Sequence, residues 1–510
     1  MKKRMLVALV CMILVASFAA CDMEFGGLVG ELLGEGTVDN VIDLPGNVLP
    51  ETAVEETWIE ETWTAVDTFE DIGGGSSNIP TDIYAGQRLV LLGCRADDLG
   101  FDDPQGDAVD YMSYDRNKSV QQTYGIEIEP LLVDADALGD LVHNDATSGQ
   151  GEYDVVMGVI ADPGAELAQR GMLLNLYDMP YLDVKNSYWD AGNHEGLAIG
   201  SFLPMATGDV VPTSDLYTSV ILFNAAIADE IGVDLYDYVQ TGGWTVTKMH
   251  AISQIAYCDL NGDALSDPDD DRLGLITTHE YANSFAVSTD VMLIGKNEAN
   301  VPILNTQTGD DEVNRVLVAY DFLWELLFDQ ASVYGSAVRG VNAANAQNIF
   351  ERGTVLFYGT NVREMMLLQG DSVPYGILPF PKLDEAQESY QSYVNCSSTA
   401  VMVPVSVKDM SLVGYGLEAM ASVSYGMFEG AVGMRYCRSE QDAQMLKLVL
   451  DSKTLDFGSN YFYASIGNTV QYVTTALDMQ NADLASMISK NEKSMNKALK
   501  KLLDAYQGWY

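Results

Sequence analysis

Short apolar runs alternate with longer segments of helical periodicity along the first half of the chain. Arg88–Gly93 reads RLVLLG, a continuous apolar run typical of a strand buried on both faces. After it the pattern predicts, in order, a helix over 108–124, a strand over 126–132, a helix over 134–146 and a strand over 153–160. This order predicts a doubly wound α/β unit, in which ligands lie outside the carboxyl ends of the strands.

A second unit of the same kind is predicted after residue 217. It contains strands at 217–224 and 273–277 and helices at 225–231, 248–257, 282–294, 311–328 and 343–352. The stretch Phe350–Pro404 then holds the apolar runs TVLFYG, YGILPFP and TAVMVPV around the helical segment NVREMMLLQG. Helices at 410–425, 469–479 and 482–506 complete the chain. Because Phe350–Pro404 leaves one α/β unit and enters another, we expect two lobes around a ligand cleft.

Length and charge narrow the possible functions. A chain of 510 residues is too long for one hydrophobic core, so two or more domains are expected. The formal net charge is −47, which repels phosphate backbones and argues against nucleic acid and polyanionic partners.

The N-terminus has the pattern of an export signal. Lys2 to Arg4 precede an apolar run and small residues that end at Cys21. Phe18–Cys21 (FAAC) resembles a bacterial lipobox, which implies that Cys21 is lipidated; an ordinary secretory signal is the alternative. Residues 22–87 contain 15 acidic residues and no Lys or Arg, and are predicted to be an extended, disordered tether.

An acidic loop indicates a possible metal site, whereas the spacing of the cysteines indicates no zinc or redox site. Cys94, Cys258, Cys396 and Cys437 are widely spaced, so buried thiols are expected. The loop DLNGDALSDPDDD has the oxygen spacing of an EF-hand-like calcium loop, although alanine replaces its turn glycine. Its predicted ligands are Asp259, Asn261, Asp263, the Leu265 carbonyl, Asp267 and Asp270. A solvated acidic loop is the alternative, and the predicted calcium would be structural.

Several stretches resemble one family in fixed order. Tyr217–Asn224 ends in Phe-Asn, Gly243–Thr245 reads GWT, Phe350–Thr354 reads FERGT, and Val373–Lys382 contains YGILPFPK. In these the chain resembles extracellular solute-binding proteins of ABC importers, of the carbohydrate-binding family 1 type. The resemblance covers roughly residues 88–510.

The resemblance implies an α/β, two-lobe, periplasmic-binding-protein-like fold of type II, with discontinuous lobes and a hinge. Its expected boundaries are 1–21 for the signal peptide, 22–87 for the tether, 88–216 with 391–455 for lobe 1, and 217–390 with 456–510 for lobe 2. It also implies a lipid-anchored protein on the outer face of the cytoplasmic membrane, which captures a sugar or oligosaccharide for a permease and requires no cofactor.

Candidate ligand contacts lie at strand ends and crossings between lobes. They are Arg95, Asp97 and Asp162 in lobe 1, Tyr217 and Asn395 at the crossings, and Trp244, Tyr281, Tyr358 and Asn361 in lobe 2. Acids and amides would hydrogen-bond hydroxyls, Arg95 would clamp them, and aromatic rings would stack on sugar faces. Each has a structural alternative, such as a packed core residue for Trp244.

Other functions fit less well. The sequence has four histidines but no H-E-x-x-H, G-x-S-x-G, P-loop or dinucleotide motif, so an enzyme is disfavoured. A surface adhesion or sensory lipoprotein would share the export signal and the binding lobes. A peptide or polyamine ligand also remains open.

Overall fold

The computed structural model describes residues 77–101, 108–264, 266–305, 310–335, 343–368, 373–462, 469–480 and 483–509. The predicted signal peptide, the lipidation site Cys21 and most of the predicted tether lie outside the described residues.

The strands form two main sheets and two small ones. In chain order they are β1 (Arg88–Gly93), β2 (Glu127–Leu132), β3 (Val155–Val159), β4 (Ser219–Asn224), β5 (Leu273–Thr278), β6 (Ile294–Lys296), β7 (Pro302–Leu304), β8 (Ser332–Gly335), β9 (Val355–Asn361), β10 (Tyr375–Leu378), β11 (Ser392–Tyr393), β12 (Thr399–Met402) and β13 (Lys453–Thr454).

The helices fall between these strands and after them. They are α1 (Ala96–Leu99), α2 (Ala108–Tyr124), α3 (Ala135–Ser148), α4 (Ala165–Gln169), α5 (Pro212–Leu216), α6 (Ala225–Ile231), α7 (Leu235–Gln240), α8 (Val246–Ala256), α9 (His279–Ser288), α10 (Asp310–Phe328), α11 (Ala343–Glu351), α12 (Val362–Leu367), α13 (Met410–Ser424), α14 (Met427–Tyr436), α15 (Glu440–Asp451), α16 (Phe457–Phe462), α17 (Thr469–Asp478) and α18 (Leu484–Ala505). None of the helices in the described ranges is long and apolar enough to cross a membrane.

The first sheet has the strand order β12-β3-β1-β2. Its strands β1, β2 and β3 are parallel, and β12 runs antiparallel to β3. The predicted strand-helix alternation over residues 88–160 is confirmed. Leu89 and Leu91 are fully buried, as the continuous apolar run of β1 predicts.

The second sheet has the order β10-β4-β9-β5-β8. Here β5 is parallel to β8 and β9, whereas β4 runs antiparallel to both β9 and β10. All six residues of β4 are buried. Since β4 belongs to the second sheet and β12 to the first, the chain passes between the sheets before each of these strands.

Helix α15 contacts elements on the side of the second sheet. The carboxylate of Asp442 accepts hydrogen bonds from the Tyr236 hydroxyl over 2.6 Å and from the Ile377 amide over 3.0 Å. Both donors belong to the second-sheet side, Ile377 within β10 itself. These contacts join α15 to the second sheet, and the lobe boundary expected at residue 455 stays a prediction.

The four cysteines of the folded part are free thiols; Cys396 is buried as predicted, whereas the other three are half-buried. Burial raises the pKa of the Cys396 thiol to about 12, and that of Cys437 to about 12. Both side chains are therefore protonated at neutral pH and behave as small apolar groups.

Candidate functional site

Three chain segments lie side by side between the sheets. Residues 217–218 lead from α5 to β4, residues 394–395 lead from β11 to β12, and residues 452–455 run beside them. Thr218 pairs with Val394, and the Val394 amide donates to the Thr454 carbonyl over 3.0 Å. The Asn395 amide donates to the Tyr217 carbonyl over 3.1 Å. Short adjacent crossings of this kind form a hinge, because a few residues can absorb a rotation of the sheets.

Arg95 connects the end of β1 to two of these segments. Its Nη1 donates to the Tyr217 hydroxyl over 2.9 Å, and its Nη2 donates to the Ser397 carbonyl over 3.1 Å. The guanidinium also lies 5.0 Å from the centroid of the Tyr217 ring. The structure thus brings Arg95, Tyr217 and Asn395 together at one edge of the first sheet. Ser397 is a contact that sequence reasoning missed, because its backbone carries no residue-specific signal.

An ion pair joins the two lobes across this edge. Arg363 Nη1 donates to Asp97 Oδ2 over 2.8 Å, with side-chain exposures of 41% and 23%. Arg363 lies in the first turn of α12, which Asn361 caps by accepting from the Glu364 amide over 2.9 Å. Asn361 therefore serves as a helix cap beside the cleft. Arg363 was not predicted, although its position two residues after Asn361 places it at the same sheet edge.

The position of Asp97 is fixed by its buried neighbour. Asp98 accepts from the amide of Thr213 over 3.1 Å and from its hydroxyl over 2.9 Å. The Thr399 hydroxyl donates to the same carboxylate over 2.5 Å. Arg116 donates to the Asp98 carbonyl over 2.8 Å. Because these groups are buried and mutually bonded, they anchor the short helix α1, which carries Asp97.

The wall on the side of the second sheet contains buried tyrosines and acids. Tyr358 is fully buried and Tyr281 is 7% exposed. Burial raises the pKa of both phenols, so both are neutral. Burial also raises the pKa of Glu364, and the nearby charge of Glu280 adds to this rise. Thr360 lies near both tyrosines, since its side chain lowers the pKa of each phenol.

Several buried polar atoms of this wall have no hydrogen-bond partner among the described residues. They are the hydroxyl oxygens of Tyr358 and Thr360, Glu280 Oε2 and, on the first-sheet side, Arg95 Nε. A buried polar atom left without a partner costs about 1–3 kcal/mol. Such atoms are therefore uncommon unless a ligand or a water molecule forms the missing hydrogen bond.

Trp244 is a core residue in the structure, not a cleft residue. It is fully buried, its ring centroid lies 5.4 Å from that of Phe357, and its indole N–H donates to the Pro379 carbonyl over 2.9 Å. No face of the ring is exposed to stack on a sugar. The aromatic identity of the residue predicts burial or stacking equally, and the packing decides for burial.

Asp162 is an exposed residue after β3. Burial and the charges of Glu166 and Asp136 raise its pKa, and these two acids belong to the helices that flank β3. Within the described ranges, no hydrogen bond or ion pair joins Asp162 to Arg95 or Asp97. Of the nine predicted contacts, Arg95, Asp97, Tyr217, Asn361 and Asn395 lie partly exposed around the hinge edge.

A cavity of about 1200 Å³ opens beside residues 452–455. It is lined by segments 185–196, 290–296 and 425–429 and by Gln391, and it includes none of the nine predicted contacts. Thr454 and Tyr217 lie on opposite sides of Val394 in the crossing segments. The cavity therefore borders residues 452–455, and Tyr217 is not among its lining residues.

A buried ion cluster forms part of this cavity wall. Lys453 Nζ lies 2.6 Å from Asp215 Oδ1 and 2.8 Å from Asp190 Oδ1, and the Lys453 and Asp215 side chains are each 5% exposed. Burial raises the pKa of Asp215 to about 6, although Lys453 opposes the rise. Burial disfavours the charged form of Lys453, but Asp190 and Asp215 outweigh burial and raise its pKa. Lys453 is thus satisfied within the protein by the two carboxylates.

The acidic loop is held by its own backbone. Asp259 accepts from the amides of Gly262 over 2.6 Å and Ala264 over 2.9 Å, and Asn261 accepts from the Asp263 amide over 2.9 Å. Ala264 has φ +62°, the left-handed conformation for which calcium loops use glycine.

This loop does not support the calcium prediction. In the ranges that the structure describes, no group of three or more His, Cys, Asp or Glu side chains is arranged to hold a metal ion. Asp267 Oδ1 instead accepts from the Asp269 amide, and the unpredicted Asp271 accepts from the Leu260 and Asp267 amides. Leu265 lies outside the described residues. The carboxylates therefore act as turn caps.

Comparisons with known proteins bear on the fold. No protein-family model matches the sequence, and no curated protein matches it. A cyclo/maltodextrin-binding protein solved with maltotetraose superposes with a TM-score of 0.52 at 13% identity, covering 82% of this chain and 97% of its own. UspC of M. tuberculosis gives 0.53 at 13% identity, with coverages of 81% and 100%. The cyclic alpha-maltosyl-1,6-maltose binding protein of Arthrobacter globiformis gives 0.53 at 12% identity, with coverages of 81% and 99%. The chain therefore has the two-lobed, periplasmic-binding-protein-like α/β fold that its sequence predicts.

Proposed function

We propose that this protein binds a sugar or oligosaccharide between its lobes and presents it to the permease of an ABC importer. The observation that most supports this is the meeting of Arg95, Asp97 and Arg363 beside the hinge segments. These side chains come from the ends of β1 and β9, in the two different sheets. Ligands of open α/β sheets bind at such strand ends.

The polar groups of the cleft suit a ligand rich in hydroxyls. Sugar hydroxyls both donate and accept, so they complement the carboxylate of Glu280, the guanidinium of Arg95 and the hydroxyls of Tyr358 and Thr360. The guanidinium of Arg95 and the hydroxyls of Tyr358 and Thr360 each have a buried atom without a hydrogen-bond partner among the described residues. Opening of the hinge would expose these atoms, and a bound ligand would then complete them.

Closure follows from the same contacts. The Asp97–Arg363 pair spans 2.8 Å, so it must separate to admit a ligand between the lobes. A ligand that bonds to both groups would restore the interactions lost on opening and draw the lobes together. The closed form would dock on the permease, and the importer's ATPase would supply the energy. The proposal assigns binding and hinge motion to this chain, and no catalysis.

The expected lobes and location belong to the same proposal. One lobe would be built on the β12-β3-β1-β2 sheet and the other on the β10-β4-β9-β5-β8 sheet. A lipid on Cys21 would hold the protein on the outer face of the cytoplasmic membrane, with the acidic segment 22–87 as the spacer.

Calorimetric titration of the purified protein with a panel of maltooligosaccharides, other oligosaccharides and polyols tests the ligand class. We expect one class to bind, and Arg95→Gln and Arg363→Gln each to weaken binding about 10-fold or more, because each loses charged hydrogen bonds. Arg352→Gln is the matched control, since Arg352 pairs with Asp269 away from the cleft. Absence of heat with every sugar and polyol would reject the proposal, as would equal losses for Arg352→Gln and Arg95→Gln.

A further inference from the structure

Helix α18 carries a line of exposed lysines in an otherwise acidic protein. The lysine stripe consists of Lys490, Lys493, Lys497, Lys500 and Lys501, and all five are exposed. They are five of the 27 basic residues in a chain of net charge −47. This concentration in one helix is not explained by the sugar cleft or by the hinge.

The five lysines lie on one face of α18. At 3.6 residues per turn, their directions fall within an arc of about 100°, over about 17 Å of helix. The buried residues of the helix are Leu484, Ile488, Met495, Leu499 and Leu502. By the same geometry, these five centre on the opposite side of the helix. The stripe therefore faces directly away from the body of the protein.

The local charge of this face is positive despite the net charge of the chain. Asp504 also lies on the stripe, where it pairs with Lys500 over 2.9 Å, so the face carries four net positive charges. Salt screens charges more than about 8–10 Å apart. A flat anionic surface touching α18 would thus interact mainly with the stripe. The net charge alone argues against polyanionic partners, and this face is the local exception.

The composition of the stripe favours a lipid surface over a protein surface. Protein interfaces are enriched in Arg, Tyr and Trp and depleted in Lys. The stripe contains only lysines, which act as hydrated point charges without bidentate geometry. Anionic membranes attract such residues without any need for shape complementarity. We propose that α18 docks on a bilayer surface that carries anionic phospholipids.

Vesicle flotation of the full-length protein tests this docking. Vesicles of phosphatidylcholine alone are compared with vesicles of phosphatidylcholine and phosphatidylglycerol. The readout is the ratio of the two partition coefficients, because a lipid anchor or apolar leader contributes to both. The triple substitution Lys490→Gln, Lys493→Gln and Lys497→Gln is expected to lower this ratio, by about fivefold per lysine and on the order of 100-fold together.

The matched control removes the same number of positive charges from positions outside α18. Lys118→Gln, Lys185→Gln and Lys408→Gln remove three lysines outside α18. The control should retain the preference for phosphatidylglycerol, and added salt should weaken that preference in the unaltered protein. An unaltered protein that partitions equally into both vesicles would overturn the proposal, and so would equal losses in the two triple variants. Circular dichroism melting confirms that both variants are folded, and sugar titration of the same samples reports the cleft independently.

Discussion

Replacing Lys453 by methionine should destabilise the protein strongly without changing the shape of its core. The ammonium group lies 2.6 Å from Asp215 Oδ1 and 2.8 Å from Asp190 Oδ1, and it is almost fully buried. The second oxygen of this carboxylate, Asp190 Oδ2, has no hydrogen-bond partner among the described residues. Removal of one member of a buried ion cluster leaves uncompensated charge and costs about 3–5 kcal/mol. We expect a loss of this size in the free energy of unfolding for Lys453→Met.

Urea unfolding followed by tryptophan fluorescence measures this loss. A triple variant with a neutral cluster should recover most of the stability, because the cost arises from buried charge and not from lost volume. Its substitutions are Lys453→Met, Asp190→Asn and Asp215→Asn. A loss below about 1 kcal/mol for Lys453→Met, as at an exposed pair, would refute the reasoning.

The same variant should respond to pH in a defined direction. Burial already raises the pKa of Asp215 to about 6 with Lys453 present, and loss of the lysine charge would raise it further. A carboxyl whose pKa is higher in the folded state binds protons on folding, so its penalty grows as pH rises. The stability deficit of Lys453→Met should therefore narrow when the pH is lowered from about 7 to about 5. A deficit that widens over this interval would contradict the assignment.

Three further substitutions test other parts of the structure. Trp244→Ala should cost about 3–5 kcal/mol in urea unfolding, because it empties a core site and leaves the Pro379 carbonyl unpaired; a loss near zero would contradict its burial. Arg363→Gln should enlarge the radius of gyration in small-angle scattering, since it removes the ion pair to Asp97 between the lobes; an unchanged radius would contradict a holding role. Burial lowers the pKa of Lys296 to about 7, so between about pH 7 and pH 10 the unfolded chain binds a proton that the folded protein does not, and the stability of the unaltered protein should rise with pH. Lys296→Met should abolish this rise; a variant with the same pH profile as the unaltered protein would contradict the prediction.

The order of the elements was predictable because it depends on local patterns. A helix predicted over 108–124 is found at Ala108–Tyr124, and the strand predicted from RLVLLG is found at Arg88–Gly93. The helix predicted over 282–294 instead occupies His279–Ser288. Its start follows directly on β5, and periodicity does not mark such a junction.

The sequence predicted where in the fold some candidate site residues lie, but not which residues they contact. Placing Arg95 and Asp97 after the first strand followed from the rule for strand ends in α/β sheets. That rule gives no information about Arg363, which reaches Asp97 from 266 residues away. The burial of Trp244 could not be predicted from the sequence either, because a tryptophan can occupy a core or a cleft and the residues that pack against it decide which.

Local sequence patterns were enough to predict the alternation of strands and helices and the two α/β units. The tertiary structure alone decided which polar groups face one another across the hinge. It paired Lys453 with Asp215, which is 238 residues away, and turned the lysines of α18 outward as one face. The physical reason is that periodicity records only which side of an element is buried. Electrostatic contacts depend on distances between side chains that are far apart in sequence, and folding alone sets those distances.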